Sequence, residues 1–304
     1  SLGGFIVAKL AWQWIFWINV PIGIVAIWLS KRHLPESHGQ NNPINLVDNT
    51  LVILAMSGVI WALSATTSSS SFAQLGLIFV IALISLGCGA WFIYRQAHEA
   101  LPMMPLSLFQ ERTFSGGNLA TACLYGSMYG VVFFLPQYLQ ASQQSTALVA
   151  GLELLPWTGT LVIVAPFAGR AVDQFGERWI ATLGLLCQGV GYLLIAVFVH
   201  KNYEWFVLPL MLSGVGLSMA GPALQKAVID AVPRVMIGKA SGIYNVFRLL
   251  GGALGTTLAV IIFYQFRGVN FASGFQATMV GTAAISLLGV VWSSRLRVGQ
   301  RENM

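Results

Sequence analysis

Apolar residues run through this chain in nine long stretches, near 14–30, 47–66, 75–95, 114–138, 148–169, 179–199, 205–225, 240–266 and 275–294, with short polar segments between them. A helix of about 20 apolar residues crosses the hydrocarbon core of a bilayer, and each stretch approaches or exceeds that length. The pattern predicts an all-α polytopic membrane protein with about nine transmembrane helices, joined by loops too short to fold independently. The opening SLGGFIVAKL reads as the last turns of one further helix, so the chain is expected to be a fragment that carries the remnant of a tenth.

Composition narrows the function classes. The chain of 304 residues is 56% hydrophobic and 9% charged, with mean hydropathy +0.74, whereas soluble domains carry roughly 25% charge. Contacts between helices, rather than a water-driven core, must then hold the fold. The net charge of +6 is scattered over many loops instead of forming a stripe, which argues against nucleic acid as a partner. Cys88, Cys123 and Cys187 fall singly inside predicted spans, without CxxC spacing or a Cys/His cluster. They read as small packing residues, and no metal site is expected.

If the spans alternate sides, one side holds Lys31, Arg32, Arg95, Arg112, Arg170, Arg178, Lys226, Arg234, Lys239, Arg295, Arg297 and Arg301. The other holds Lys9, Lys201 and Arg267, and Arg248 lies within span eight. Basic loops stay in the cytoplasm, so the first span is expected to run inward and the C-terminus to end inside. Trp12, Trp14 and Trp17 then fall at the outer interface, with Trp28, Trp91, Trp179 and Trp292 near inner ends. Tryptophan anchors helices at such positions; ligand stacking is its other use.

Polar residues inside the spans are the candidates for function, because a charge at mid-membrane costs at least about 2.5 kcal/mol. In span eight, Ser241, Asn245, Arg248 and Gly252 recur at i, i+4, i+7 and i+11, one face of a helix. Arg248 admits two readings, a cavity or gate residue and a side chain that snorkels to the inner surface. Gly251 and Gly255 form a GxxxG pair, a signal of close helix packing. In span four, Asn118, Thr121, Tyr125 and Tyr129 recur at i, i+3, i+7 and i+11. Tyrosines suit bulky amphipathic cargo, and Met128, Met211 and Met219 supply adaptable apolar contacts; taken singly, each also serves as packing. Pro136, Pro156, Pro166, Pro209 and Pro222 lie inside or at the ends of these helices and permit bending.

Three segments carry a family resemblance. Leu2-Gly3-Gly4, then Trp12-Gln13-Trp14-Ile15-Phe16-Trp17-Ile18-Asn19-Val20-Pro21-Ile22-Gly23 and Leu34-Pro35-Glu36, resemble the GPxxGG helix end and WRWIFxINVPIG segment of the drug:proton antiporter branch of the major facilitator superfamily, the group with fourteen spans. Gln13 stands where that group has Arg. Gly169-Arg170-Ala171-Val172-Asp173-Gln174-Phe175-Gly176-Glu177-Arg178 is similar to the superfamily's cytoplasmic GxLaDrxGrr loop, from which Ala171, Gln174 and Glu177 depart. Its glycines permit a tight turn, and the carboxylate can bond helix-terminal N–H groups and a nearby Arg, latching an inner gate. Gly238-Lys239-Ala240-Ser241-Gly242, Asn245, Arg248 and Leu250-Gly251-Gly252-Ala253-Leu254-Gly255 resemble the GxaSgxxNxxRxLGgalG segment.

The resemblance covers essentially the whole chain and implies the C-terminal portion of a major facilitator fold, with roughly the first third of the transporter upstream. The implied domains are residues 1–30, the end of the N-terminal bundle; 31–46, a cytoplasmic loop; 47–95, two extra helices; 96–113, a cytoplasmic loop; 114–294, the C-terminal six-helix bundle; and 295–304, a cytoplasmic tail. Spans four, five, seven and eight would face a central cavity, giving Asn118, Thr121, Tyr125, Tyr129, Trp157, Asn245 and Arg248 as cavity residues and Gly169, Asp173, Gly176 and Arg178 as the gate. The implied activity is export of small amphipathic drugs or metabolites from the bacterial inner membrane by alternating access, driven by the proton gradient without a cofactor. The lipid bilayer and a periplasmic adaptor protein are the implied partners; exporters of amino acids, siderophores or bile salts belong to the same family.

Such coupling needs a membrane-embedded acid. Of the ten acids, Glu153 lies just inside the outer end of span five and Asp230 near the inner end of span seven, and most others lie in loops. Glu153 reads either as a proton or cation site or as an interfacial polar residue; resemblance places the principal coupling acids upstream, so the fragment alone is not expected to export. An intramembrane enzyme would need a nucleophile and base within the bilayer, but His33, His38, His98 and His200 are in loops, and HExxH is absent. Nor is there the repeated filter-like loop of a channel.

Overall fold

A computed structural model describes residues 13–33, 45–66, 72–99, 101–142, 146–268 and 270–296. The remnant around Gly3 and Gly4, with Lys9, Trp12, Leu34-Pro35-Glu36, His38, Arg297 and Arg301, lies outside the described residues. The α-helices are α1 (Trp14–Trp17), α2 (Asn19–His33), α3 (Leu46–Ala65), α4 (Phe72–His98), α5 (Arg112–Ser142), α6 (Ala147–Glu153), α7 (Leu155–Phe175), α8 (Glu177–Phe198), α9 (Glu204–Asp230), α10 (Ile237–Phe266) and α11 (Phe271–Ser293). Short 3-10 turns, Leu106–Gln110 and Arg234–Met236, precede α5 and α10.

Among the described residues, eight spans are long and apolar enough to cross a membrane, with α6 and α7 together forming one of them. The expected first span is the exception: 14–30 divides into one turn and a helix of 15 residues. Pro21 explains the break. It has no N–H for the carbonyl of Trp17 four residues back, and its ring crowds that carbonyl, so the chain turns at Ile18 and restarts with proline in the first turn, where it is tolerated. Pro156 acts alike on span five: it cannot donate to Leu152, and the helix is interrupted at Leu154. Two expected loops are also shorter at their starts, since α2 continues to His33 and α4 to His98.

Helix α5 is the hub. It packs on α9, α10 and α11, while α8 packs on α9 and α11, and α7 on α9 and α8. The α3–α4 hairpin packs on itself and, through α3, on α10. Helix α2 buries no residue. The α5–α10 seam depends on glycine, because a Cβ at Gly255 would overlap the Gly126 carbonyl and one at Gly126 would lie 2.9 Å from the Gly251 carbonyl oxygen. This is the close backbone approach that the GxxxG pair predicts.

The interhelical contacts gather at two ends. At one, Arg95 Nε donates to buried Asp48 (2.7 Å), Lys239 Nζ donates to the Pro102 carbonyl (2.9 Å), and Lys226 reaches Asp173. At the other, the Tyr138 hydroxyl donates to the Val199 carbonyl, Gln276 donates to Ala196, and the Tyr138 ring stacks on Phe275 at 4.1 Å. Midway, the Gln188 carboxamide, fully buried on α8, accepts from Ser286 of α11 (3.1 Å) and donates to Tyr192 (3.0 Å). Trp28, Trp179 and Trp292 each carry an arginine over the ring, Arg32, Arg178 and Arg295. That pairing suits helix ends where apolar and wet surroundings meet.

Candidate functional site

The polar face of α5 changes character along its length. Asn118 and Thr121 are fully buried: the Asn118 amide donates to the Phe114 carbonyl (2.8 Å) and the Thr121 hydroxyl to Gly117 (2.7 Å). Here α9 closes against α5, with Val228 beside Gly117. One to two turns on, the bundle opens. Tyr125 is half-buried, Tyr129 is exposed, and the Tyr129 ring lies against Gly252 of α10, where a Cβ would come within 2.6 Å of it.

Arg248 joins this open region. It stands eleven residues after Ile237, about 17 Å along α10 at 1.5 Å per residue. Its guanidinium carbon lies 5.2 Å from the centre of the Tyr125 ring, a cation–π approach across to α5. Its Nε is buried and has no hydrogen-bond partner among the described residues, and the same holds for Asn118 Oδ1. Tyr244, one turn before Arg248, is buried and reaches the Gly221 carbonyl of α9 (3.4 Å), and the Tyr125 hydroxyl lies beside Gly221. Tyr125, Tyr129, Tyr244 and Arg248 thus converge where α5, α9 and α10 meet. The sequence reading passed over Tyr244, although its i, i+4 spacing to Arg248 was the available signal.

Other candidates stand apart. Asn245 is exposed and donates to the Ser241 carbonyl of its own helix (3.0 Å). Trp157 packs against Gly214 of α9 and borders a small gap, about 20 Å³, with Val131, Leu135 and Leu210. Glu153 ends α6, and its carbonyl accepts from the Tyr203 hydroxyl (2.8 Å). Burial, then the negative charge of Glu153, hold the Tyr203 phenol above its ordinary range.

The Gly169–Arg178 segment, the expected gate, spans the α7–α8 corner. Gly176 makes the turn with φ +85°, a conformation that favours glycine. Gly169 does not share that role: it is helical, and no described atom approaches within 4 Å of where its Cβ would stand. Asp173 meets a lysine, with Lys226 Nζ of α9 at 2.6 Å and also 3.4 Å from Glu177. Arg178 lies over Trp179, 5.6 Å from the ring centre. The sequence pointed to Asp173 but not to Lys226, because the two belong to different helices 53 positions apart. Among the described residues, no three of His, Cys, Asp and Glu gather as a metal site.

Residues 117–303 match the model of the Major Facilitator Superfamily. The chain is 28% identical to "Uncharacterized transporter YebQ" of Escherichia coli K12, over 99% of this chain and 65% of that protein. It is 27% identical to "Multidrug efflux pump LfrA" of Mycolicibacterium smegmatis, over 95% and 57% respectively. It is 29% identical to "Probable multidrug resistance protein EmrY" of Escherichia coli K12, over 86% and 52%. The chain therefore spans between about half and two thirds of these curated relatives. Its helical architecture, its glycine-turned corner and the match over α5 to α11 lead to one conclusion: the chain belongs to the major facilitator superfamily.

Proposed function

We propose that this chain is the C-terminal part of a proton-driven exporter of amphipathic drugs or toxic metabolites, a member of the fourteen-span drug:proton antiporter branch, seated in the bacterial inner membrane with its C-terminus in the cytoplasm. The observation that carries the proposal is Arg248, a cation deep along α10 and turned over a tyrosine of α5. A charge held there faces protein or a water-lined cavity rather than lipid. The names of LfrA and EmrY support efflux as the activity. In this reading Tyr125, Tyr129, Tyr244 and Arg248 form the C-terminal wall of the substrate cavity, Asn118 and Thr121 seal it where α9 closes against α5, and Trp157 and Asn245 lie apart from it. The Asp173–Lys226–Glu177 cluster, with Gly169, Gly176 and Arg178, is the inner latch. Glu153 is the acid this part contributes to proton or cation handling at the outer end, and a periplasmic adaptor would receive the cargo.

The test is efflux of a fluorescent amphipathic dye from cells lacking their own exporters and expressing the full-length protein. Export that collapses with a protonophore, and falls about tenfold or more in Arg248→Gln as a charge-assisted contact is lost, is the expected result. Export that persists without a proton gradient, or is indifferent to Arg248, would overturn it. The 304-residue chain alone is expected to export nothing.

A further inference from the structure

A second cavity lies away from the Tyr125–Arg248 region, at the end of the bundle opposite the Asp173–Lys226 pair. It is a half-open cavity of about 420 Å³ between the C-terminal ends of α5 and α10 and the start of α11, with Phe133 and Tyr264 partly exposed, within the range of small-molecule sites. Its floor is aromatic: Phe134 stacks on Phe263 at 4.6 Å, and Phe271 meets Phe263 edge-on at 4.8 Å. Phe133 forms a wall, and Gln137, Tyr264 and Arg267 form the polar rim.

Two features of the rim favour negative charge. The Arg267 guanidinium lies 5.4 Å from the centre of the Tyr264 ring, and no carboxylate among the described residues pairs with it. The Arg267 Cβ lies against Gly274 of α11, where an added Cβ would stand 2.8 Å from it and 2.9 Å from Phe263. Next to it α11 begins at Phe271, and its N-cap Asn270 makes no side-chain cap. The first-turn amides of a 23-residue helix thus carry their partial positive charge at the cavity's edge, beside the C-terminal carbonyls of α10, whose opposite partial charge Arg267 offsets. Gln137 Nε2 donates one N–H to the Phe133 carbonyl (2.6 Å) and keeps its second for a ligand.

We infer that this cavity binds an amphipathic monoanion, a carboxylate or phosphate on Arg267 with an apolar body over the Phe134–Phe263 floor. An anionic lipid and a soluble amphiphile share that chemistry. The inference stands apart from the export reading, because it concerns binding at a different place.

The experiment photolabels the purified protein, in phosphatidylcholine nanodiscs, with a diazirine-bearing decanoic acid. Labelling should concentrate in the peptides that contain Phe133–Gln137 and Phe263–Phe271. It should weaken about tenfold in Arg267→Gln, as a charge-assisted hydrogen bond is lost, and recover in Arg267→Lys. A diazirine-bearing alkylammonium should avoid the site in the natural protein and enter it in Arg267→Glu. Competition by phosphatidylglycerol built into the disc would identify a lipid as the occupant, and competition by soluble decanoate alone a solute. Labelling that is unchanged in Arg267→Gln, or spread evenly over lipid-facing helices, would overturn the inference. Arg267 is exposed, so these variants should fold, which a shared melting temperature would verify.

Discussion

Two glycines in recognisable motifs behave in opposite ways. Gly255 sits where any side chain would strike the Gly126 backbone, whereas Gly169 has open space around it among the described residues. Gly255→Ala should therefore destabilise the bundle by about 2 kcal/mol through overpacking, read as a lower melting temperature in detergent. Gly169→Ala should leave it unchanged or raise stability by about 0.5–1 kcal/mol, since alanine suits a helix interior better. If the latch in the complete carrier presses a neighbour against Gly169, that variant will melt normally yet export poorly. The GxxxG spacing announced the first effect in the sequence, because small residues one turn apart have few other uses in a membrane helix. The second was not legible, because glycine in a loop motif and glycine about two turns before the loop look alike without φ angles.

Helix α9 holds the α7–α8 corner through one lysine. Asp173 is 71% exposed and Lys226 38%, so solvent screens the pair and it contributes at most about 1 kcal/mol. Lys226→Gln should hardly move the melting temperature but should raise alkylation from the cytoplasmic side of a cysteine placed at Tyr129. Equal labelling in both proteins would argue that the cluster is only a solvated corner. The α3–α4 hairpin is held differently. Asp48 is almost fully buried and accepts from Arg95 Nε and from Gln96 Nε2 (2.9 Å), while Gln96 Oε1 accepts from the Met104 backbone N–H (2.8 Å). Asp48→Asn should cost on the order of 2 kcal/mol and speed hydrogen exchange in α3 and α4 before the rest of the bundle. Span positions were legible because apolar length dictates them. The Asp48–Arg95 partnership was not, because it joins residues 47 apart and no local pattern records it.

In the whole molecule the basic residues follow the contacts. Arg95, Arg112, Arg170, Arg178, Lys226, Arg234, Lys239 and Arg295 belong to the end that holds Asp48 and Asp173, and Lys201 and Arg267 to the other. A cysteine at Gln174 or Ser294 should resist an impermeant maleimide added outside intact cells, and one at Lys201 or Asn202 should react. The reverse pattern would invert the orientation and with it the inner latch. Charge bias predicts a sidedness that this labelling would test, whereas the approach of Arg248 to Tyr125 needed the fold, since snorkelling and inward placement give the same string of letters.

The hairpin's attachment has a mechanical corollary. Helix α3 leans on α10, and Gln96 ties α4 to the stretch that leads into α5. In the proposed alternating-access carrier, where two halves would swing past each other, helices α3 and α4 would then travel as cargo of the half that α5 to α11 form. They would sweep the surrounding lipid with it, instead of serving as a stationary post about which both halves turn.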